Sequence, residues 1–327
     1  MTGKEARLLL VVLLAMSGAV ARANDSFSEV GAGGIRFLKR SDIILQTEVL
    51  TITQKKVDVA YQFLNPTPQD VTIEVAFPIP DYHYDPEYGT AQFDDFSVEV
   101  DGEHLVCQKV VKAELDGKDV TKVIQETGLP VADLKAIGGK GKESPADRLP
   151  VQTLHRFEAL GLLVKDQDYG WMPLWSVSVV YHWQQRFPAG KVTRVHHTYT
   201  PWTGGDYFYL ASPEAWGAKS FAAECAPGPQ ELKKLFPKAR KEDDAVYRTW
   251  VQYILTTGDN WNGPIGEFTL IVPKSPKETV AICSDLPRAT AASDKVEVHA
   301  KGYSPKKELR VYFLSTEPPA TFGHGGG

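Results

Sequence analysis

The sequence predicts a mainly β protein made of two β-sandwich-like domains, the first carrying a helical insertion. Three observations lead there. Apolar and polar residues alternate over many short runs. Glycine, proline and asparagine separate those runs at short intervals. Between residues 112 and 166 the apolar spacing changes from two to the three-or-four of a helix.

Taken in order, the first strand covers residues 43–53. In "KVDVAYQFL", Val57, Val59, Tyr61 and Phe63 share one face, and in "VTIEVAF" so do Val71, Ile73, Val75 and Phe77, because successive strand side chains point to opposite faces. The linking "NPTPQD" is turn material, since its prolines fix φ and donate nothing to a ladder. A further strand is expected at 96–100. In the insertion, "DVTKVIQET" runs to Gly128, "VADLKAI" to Gly138 and "VQTLHRFEAL" to Gly161, each glycine suited to a left-handed helix end. Pro145 and Pro150 suit first-turn positions. The "GGKGKES" stretch fails as a phosphate loop, because Ala136 stands where the first glycine belongs and Glu143 where Ser or Thr belongs.

After the insertion, "SVSVVYHWQQRFPAGKVTRVHHTYT" reads as a hairpin of strands 177–187 and 192–199 around Pro188, Ala189 and Gly190. Matching the apolar faces sets Trp183 opposite Val195, Tyr181 opposite His197, and His182 across from His196. The second domain draws its strands from 247–255, 268–272, 280–283, 296–299 and 309–314. The domain organisation expected is therefore a signal peptide over 1–23, a sandwich over 24–202 with its insertion at about 112–166, a second β domain over 203–316, and a flexible tail over 317–327.

The signal peptide is read from Lys4 and Arg7, the apolar "LLLVVLLAM" and the small residues of "ARA" ending at Ala23. Its apolar run is too short to span a bilayer, and no later run approaches the necessary ~20 residues. A periplasmic or secreted protein with no membrane span after cleavage is expected. The chain carries 36 Lys+Arg and 41 Asp+Glu, for a net charge of −5, and loss of Lys4, Arg7, Arg22 and Glu5 leaves −7. That surface repels nucleic acid. In an oxidising compartment a Cys225–Cys283 disulfide is expected, with Cys107 buried and reduced.

No "GxSxG" elbow and no "HExxH" helix is present, and "GAGG" at 31–34 does not join a strand to a helix, so no catalytic residue is assigned. Asp81, His83, Asp85 and Glu87 alternate in "PDYHYDPEYG" and would share one side of an extended loop. Such a set suits a metal or a carboxylate pair, but the reading favoured is a solvated, aromatic-braced loop, with no metal and no cofactor. Aromatic loops supply the binding candidates: Trp171 from "DYGWMPLW", Trp202, Asp206 and Tyr207 from "PWTGGDYFY", and Asp259, Asn260 and Trp261 from "TTGDNWNG". Such residues stack on a ring or grip a peptide if their loops meet. For Trp261 the more ordinary use is a plug at an end of the second sandwich: "DNWNG" lacks the alternating oxygens of a calcium loop.

The segments "NDSFSEVGAGGI", "VDVAYQFLN", "VAFPIPD", "FSVEVDG", "QRFPAGKVTRVHHTYTP" and "YILTTGDNWNGPIGEFTLIV" resemble the DUF4424 family of exported bacterial proteins of unknown function. The resemblance spans nearly the whole mature chain and implies an exported β-rich protein without assigned catalytic residues. Residues 40–200 are also similar in order to vault/inter-alpha-trypsin domains, which implies an interaction module. The function expected is non-enzymatic binding of an envelope component, either a glycan or a protein partner. The alternative is a hydrolase of envelope glycan using carboxylates of the 81–87 loop.

Overall fold

A computed structural model describes residues 26–31, 34–38, 42–86, 95–139, 144–209 and 245–318. Its strands are β1 Ser26–Gly31, β2 Gly34–Leu38, β3 Ile44–Ile52, β4 Val57–Leu64, β5 Val71–Tyr82, β6 Ser97–Val100, β7 Glu103–Leu105, β8 Gln108–Leu115, β9 Lys118–Asp119, β10 Leu163–Asp166, β11 Gly170–Pro173, β12 Ser176–Phe187, β13 Val192–Tyr199, β14 Thr203–Tyr209, β15 Ala245–Tyr253, β16 Ile265–Pro273, β17 Thr279–Cys283, β18 Thr290–Ala291, β19 Lys295–Tyr303 and β20 Leu309–Ser315. The helices are α1 Thr121–Gln125, α2 Leu134–Ile137 and α3 Val151–Ala159, with 3-10 turns at Pro145–Arg148 and Thr256–Asn260. Among the described residues no helix is long and apolar enough to cross a membrane.

The protein is mainly β. Among the described residues its strands form a six-stranded sheet (β2-β1-β5-β12-β8-β9), an eight-stranded sheet (β18-β19-β16-β3-β4-β13-β6-β7), a four-stranded sheet (β14-β15-β20-β17) and the β10-β11 hairpin. The alternation read from the sequence places the faces: Val57, Val59, Tyr61 and Phe63 are all buried, as are Ile73, Val75 and Phe77. The two large sheets meet through these faces. Phe77 of one lies 5.0 Å from the His197 ring of the other, and Phe63 lies 5.8 Å from Phe187. The four-stranded sheet adds Val251, Tyr253, Leu309, Val311 and Phe313 to the same core, and its opposite face holds a smaller cluster around Phe208, Tyr312 and Leu314.

The strand pairing does not follow the expected division at 202/203. β16 runs parallel to β3, with Leu270 opposite Leu50, and β19 pairs with β16. Strands from the C-terminal third thus complete the sheet of the N-terminal strands, and one larger shared core buries more apolar surface per residue than two small ones. The expected hairpin is also corrected. β12 pairs with β5 and β8, whereas β13 pairs with β4 and β6. The 188–191 segment therefore crosses from one sheet to the other. Trp183 and His197 meet ring to ring at 5.3 Å across the interior instead of lying near each other in one sheet. His182 bonds Glu74 at 2.5 Å and His196 bonds Asp58 at 2.9 Å, so the two histidines are not a facing pair. Strand alternation specifies which face is buried, and facing across a sandwich satisfies it as well as lying side by side.

The insertion is helical but short, held between β9 and β10. Gly128 and Gly161 adopt the expected positive φ, +77° and +68°. Gly138 does not, at −73°. Its lack of a side chain serves another need, because a Cβ there would enter the ring of Tyr84. Pro145 opens a 3-10 turn, while Pro150 is the residue before α3 and not in its first turn. Two buried donors fasten the insertion to the body: Tyr82 Oη donates to the Ala132 carbonyl at 2.6 Å, and Trp175 Nε1 to that of Val131 at 3.2 Å.

Candidate functional site

The strongest candidate site lies on the outer face of the four-stranded sheet, beside the C-terminal end of β5. The register builds the floor in rows. Gln252 of β15 stands opposite Arg310 of β20, which stands opposite Cys283 of β17; one row on, Gly204, Trp250, Tyr312 and Ala281 line up across β14, β15, β20 and β17. Next to them Arg248 faces Asp206. Gly204 carries no side chain because the Trp250 indole occupies the place of its Cβ. An aromatic cluster results, with Trp202 meeting Trp250 edge-on at 6.3 Å between centroids and Tyr312 tilted against Trp250 at 6.0 Å.

Two adjoining cavities of about 480 and 350 Å³ open over this floor and share Asp81, Gln252 and Arg310. The smaller is walled by Asp81, His83, Trp202, Arg248 and Tyr312, and the larger by Pro80, Tyr253, Lys307 and Glu308. Arg248 forms a bidentate pair with Asp206, through Nε at 2.7 Å and through Nη2. The Arg248 and Arg310 guanidinium carbons lie 5.4 and 5.9 Å from the Tyr312 ring centre, within cation–π range. The Gln252 amide, oriented with its oxygen toward Arg310, accepts from Nε at 3.0 Å and Nη2 at 2.5 Å, and Nη1 donates to Tyr312 Oη at 3.1 Å. Burial against the protein side of the cleft holds the Asp81 carboxyl above the usual carboxylate range, with Glu114 adding to the shift and a Ser178 hydrogen bond opposing it. Glu308 is differently employed. Its Oε2 accepts from the backbone N–H of Leu255 and Thr256 at 2.7 and 3.2 Å, and its Oε1 from Thr256 Oγ1 at 2.6 Å.

The residues singled out from the sequence fall in three environments. Trp202 and Asp206 belong to this region: Trp202 lines the cleft and Asp206 holds Arg248, whereas Tyr207, next along β14, points to the other face of the sheet and packs with Tyr209 and Tyr247. Trp171 is 4% exposed on β11, donates from Nε1 to Asp147 Oδ1 at 2.8 Å and exchanges two backbone bonds with Gly139. Asp259, Asn260 and Trp261 form the turn before β16. Asn260 and Trp261 are buried, and Trp261 lies 4.7 Å from Phe63 and 6.1 Å from Phe187. This plug therefore sits between the two large sheets and not at the end of a second sandwich. The next residue, Asn262, donates its N–H to the Ile43 carbonyl at 2.8 Å and so fixes the turn to the start of β3.

Of the 81–87 loop, Asp81 and His83 reach the cleft, Asp85 does not line it, and Glu87 lies outside the described residues. Among the described residues no three His, Cys, Asp or Glu side chains gather as metal ligands would. Cys283 lines the larger cavity. Cys225 lies outside the described residues, and Cys107 keeps its thiol but is only half-buried, short of the full burial expected. The sequence reading missed Arg248, Trp250, Gln252, Arg310 and Tyr312. A signal existed: Arg248, Trp250 and Gln252 alternate in "YRTWVQY" with residues that enter the core.

Fold and cleft together define a multi-sheet β protein with a ligand-sized hollow of polar and aromatic walls. The chain belongs to the DUF4424 family, described as a domain of unknown function, which matches residues 23–312. No curated protein matches it. Among solved structures, it is similar to a Legionella pneumophila protein described as a "putative nutrient binding protein", at 14% identity and TM-score 0.41, over 89% of this chain and 70% of that one. Similarity extends to an M1 zinc metallopeptidase of Deinococcus radiodurans (10%, TM-score 0.27, 84% of this chain, 43% of that one). It also extends to yeast LTA4 hydrolase (7%, TM-score 0.33, 83% and 28%). The chain thus spans less than half the length of either enzyme.

Proposed function

We propose that this protein is exported and acts without catalysis, holding an envelope component in the cleft above β15 and β20. One observation carries the reading: half-buried Trp202, Trp250, Gln252 and Arg310 converge with Asp81 and His83 around cavities of about 480 and 350 Å³. That size and that mixture of aromatic walls with a few placed polar groups suit a small ligand or the end of a larger one. The carboxylates favour binding over hydrolysis. Glycan hydrolysis needs two working carboxyls roughly 5 to 10 Å apart. In the larger cavity the companion of Asp81 is Glu308, both of whose oxygens are bound to the Leu255–Thr256 turn. Titrating the mature chain with soluble envelope glycans and peptides is expected to give saturable binding that Trp202→Phe, which keeps a ring packed against the core, weakens. Release of new reducing ends, abolished by Asp81→Asn, would favour the hydrolase.

Export and the Cys225–Cys283 bridge belong to the same reading, supported by the 1–23 signal pattern and by the oxidising compartment to which it leads. In the chain-entropy picture, closing a loop of nearly 60 residues adds about 4 kcal/mol. Intact mass and non-reducing peptide mapping are expected to find a chain starting at Asn24 with these two cysteines joined. A full-length cytoplasmic chain, or Cys107 in a bridge, overturns it.

A further inference from the structure

We propose that the ligand of this cleft is a small organic anion, with a carboxylate that meets the Trp202 indole N–H, Arg248 and Arg310, and an aromatic or apolar body seated against Trp250 and Tyr312. The inference rests on the binding reading above and specifies its chemistry. Three donor-only groups, Trp202, Arg248 and Arg310, line the smaller cavity beside one carboxyl, that of Asp81, and donors recognise acceptors. Trp202 Nε1 is buried without a hydrogen-bond partner, and burial of an N–H with its bond unmade is unfavourable, which a ligand acceptor would relieve. Asp206 and Gln252 hold the two guanidiniums in place through Nε and Nη2, so their orientation is set before a ligand arrives. A guanidinium held this way presents its charge to the cavity from a fixed place, as a flexible ammonium group does not. The floor selects the rest of the ligand. Gly204 makes room for the Trp250 ring, and Tyr312 lies beside it in the same row, 6.0 Å away and tilted by 52°, so the two rings form an angled apolar seat that favours an aromatic or apolar partner.

The test uses the mature chain, residues 24–327, with phenylacetate, the uncharged phenylacetamide and inorganic phosphate as probes, read by calorimetry and ligand-detected NMR. Phenylacetate is expected to bind saturably and at least tenfold more tightly than phenylacetamide. Trp202→Phe keeps a ring and removes the N–H, and it is expected to weaken phenylacetate at least fivefold and phenylacetamide, whose carbonyl also accepts but carries no charge, by less. Arg310→Gln should do the same, and where that variant melts early, Trp202→Phe alone decides. Equal affinity for acid and amide overturns the anion inference while leaving the cleft as a binding site. Phosphate binding with no preference for the ring-bearing acid overturns the apolar half of the proposal. Binding of none of the three overturns the inference, and if the envelope glycans and peptides also fail to bind, the binding reading falls with it.

Discussion

Two buried rings set the strongest residue-scale predictions. Trp261 is 3% exposed and wedged between Phe63 and Phe187, so Trp261→Ala leaves a hole between the large sheets. Truncations of this kind cost about 3 to 5 kcal/mol, and urea unfolding of the variant is expected to show a loss in that range. An unchanged midpoint would mean that the turn does not plug the core. His197 is fully buried among Tyr61, Phe77, Phe96 and Trp183, and burial, with a smaller contribution from the His196 charge, pushes its pKa from 6.5 down to about 3. Between those values the unfolded chain binds a proton that the folded chain refuses. Stability is therefore full above about pH 6.5 and falls as pH drops toward 3, by about 1.4 kcal/mol per pH unit from this group. His197→Phe is expected to flatten the acid limb of the stability curve by that slope. A parallel limb in the two proteins would contradict the assignment.

At the scale of elements, the parallel contact of β3 with β16 depends on a glycine. The register of β3 against β4 slips between Leu45 and Thr47, which leaves Gln46 as a bulge, and Gly266 passes its carbonyl so closely that a Cβ would lie 2.6 Å from the oxygen. Neither backbone yields easily, so Gly266→Ala is expected to destabilise by about 1 to 3 kcal/mol, measured by thermal melting. A variant as stable as the parent would show that the strands can part there at no cost. Strand positions were legible in the sequence because alternation with period two is local: the expected 43–53, 192–199 and 309–314 correspond to β3, β13 and β20. Pairing was less so. Pro188, Ala189 and Gly190 fit a hairpin loop as well as a crossing between sheets, and only the partners β5 and β4 decide between them. β8 and β14 escaped notice because "QKVVKAEL" and "TGGDYFY" carry weak alternation and are shaped by their neighbours.

For the whole molecule, the eight-stranded sheet draws strands from both sides of 202/203. A fragment of residues 24–202 would leave the β3 edge open and remove the Trp261 plug above Phe63, exposing both a strand edge and apolar side chains. It is expected to be insoluble or to lack dispersed amide resonances, whereas the mature chain unfolds as one cooperative unit by calorimetry. A well-dispersed, monomeric fragment would restore the two-domain division.

The sequence alone determined what depends on near neighbours: the β class, most strand positions, the faces those strands bury, the glycine turns at 128 and 161, and the membership of a family. These follow from periodicity and backbone sterics, which act over a few residues. Tertiary structure alone decided which strands share a sheet and which polar groups meet. Asp81 and Arg310 are more than 200 residues apart, and both line the cleft because the end of β5 comes against β15 of the four-stranded sheet. Trp202 and Trp261 look alike as aromatic loop residues in the sequence, yet one walls a cavity and the other fills the core. The difference lies in what packs against each ring, and neither neighbour is close in the chain.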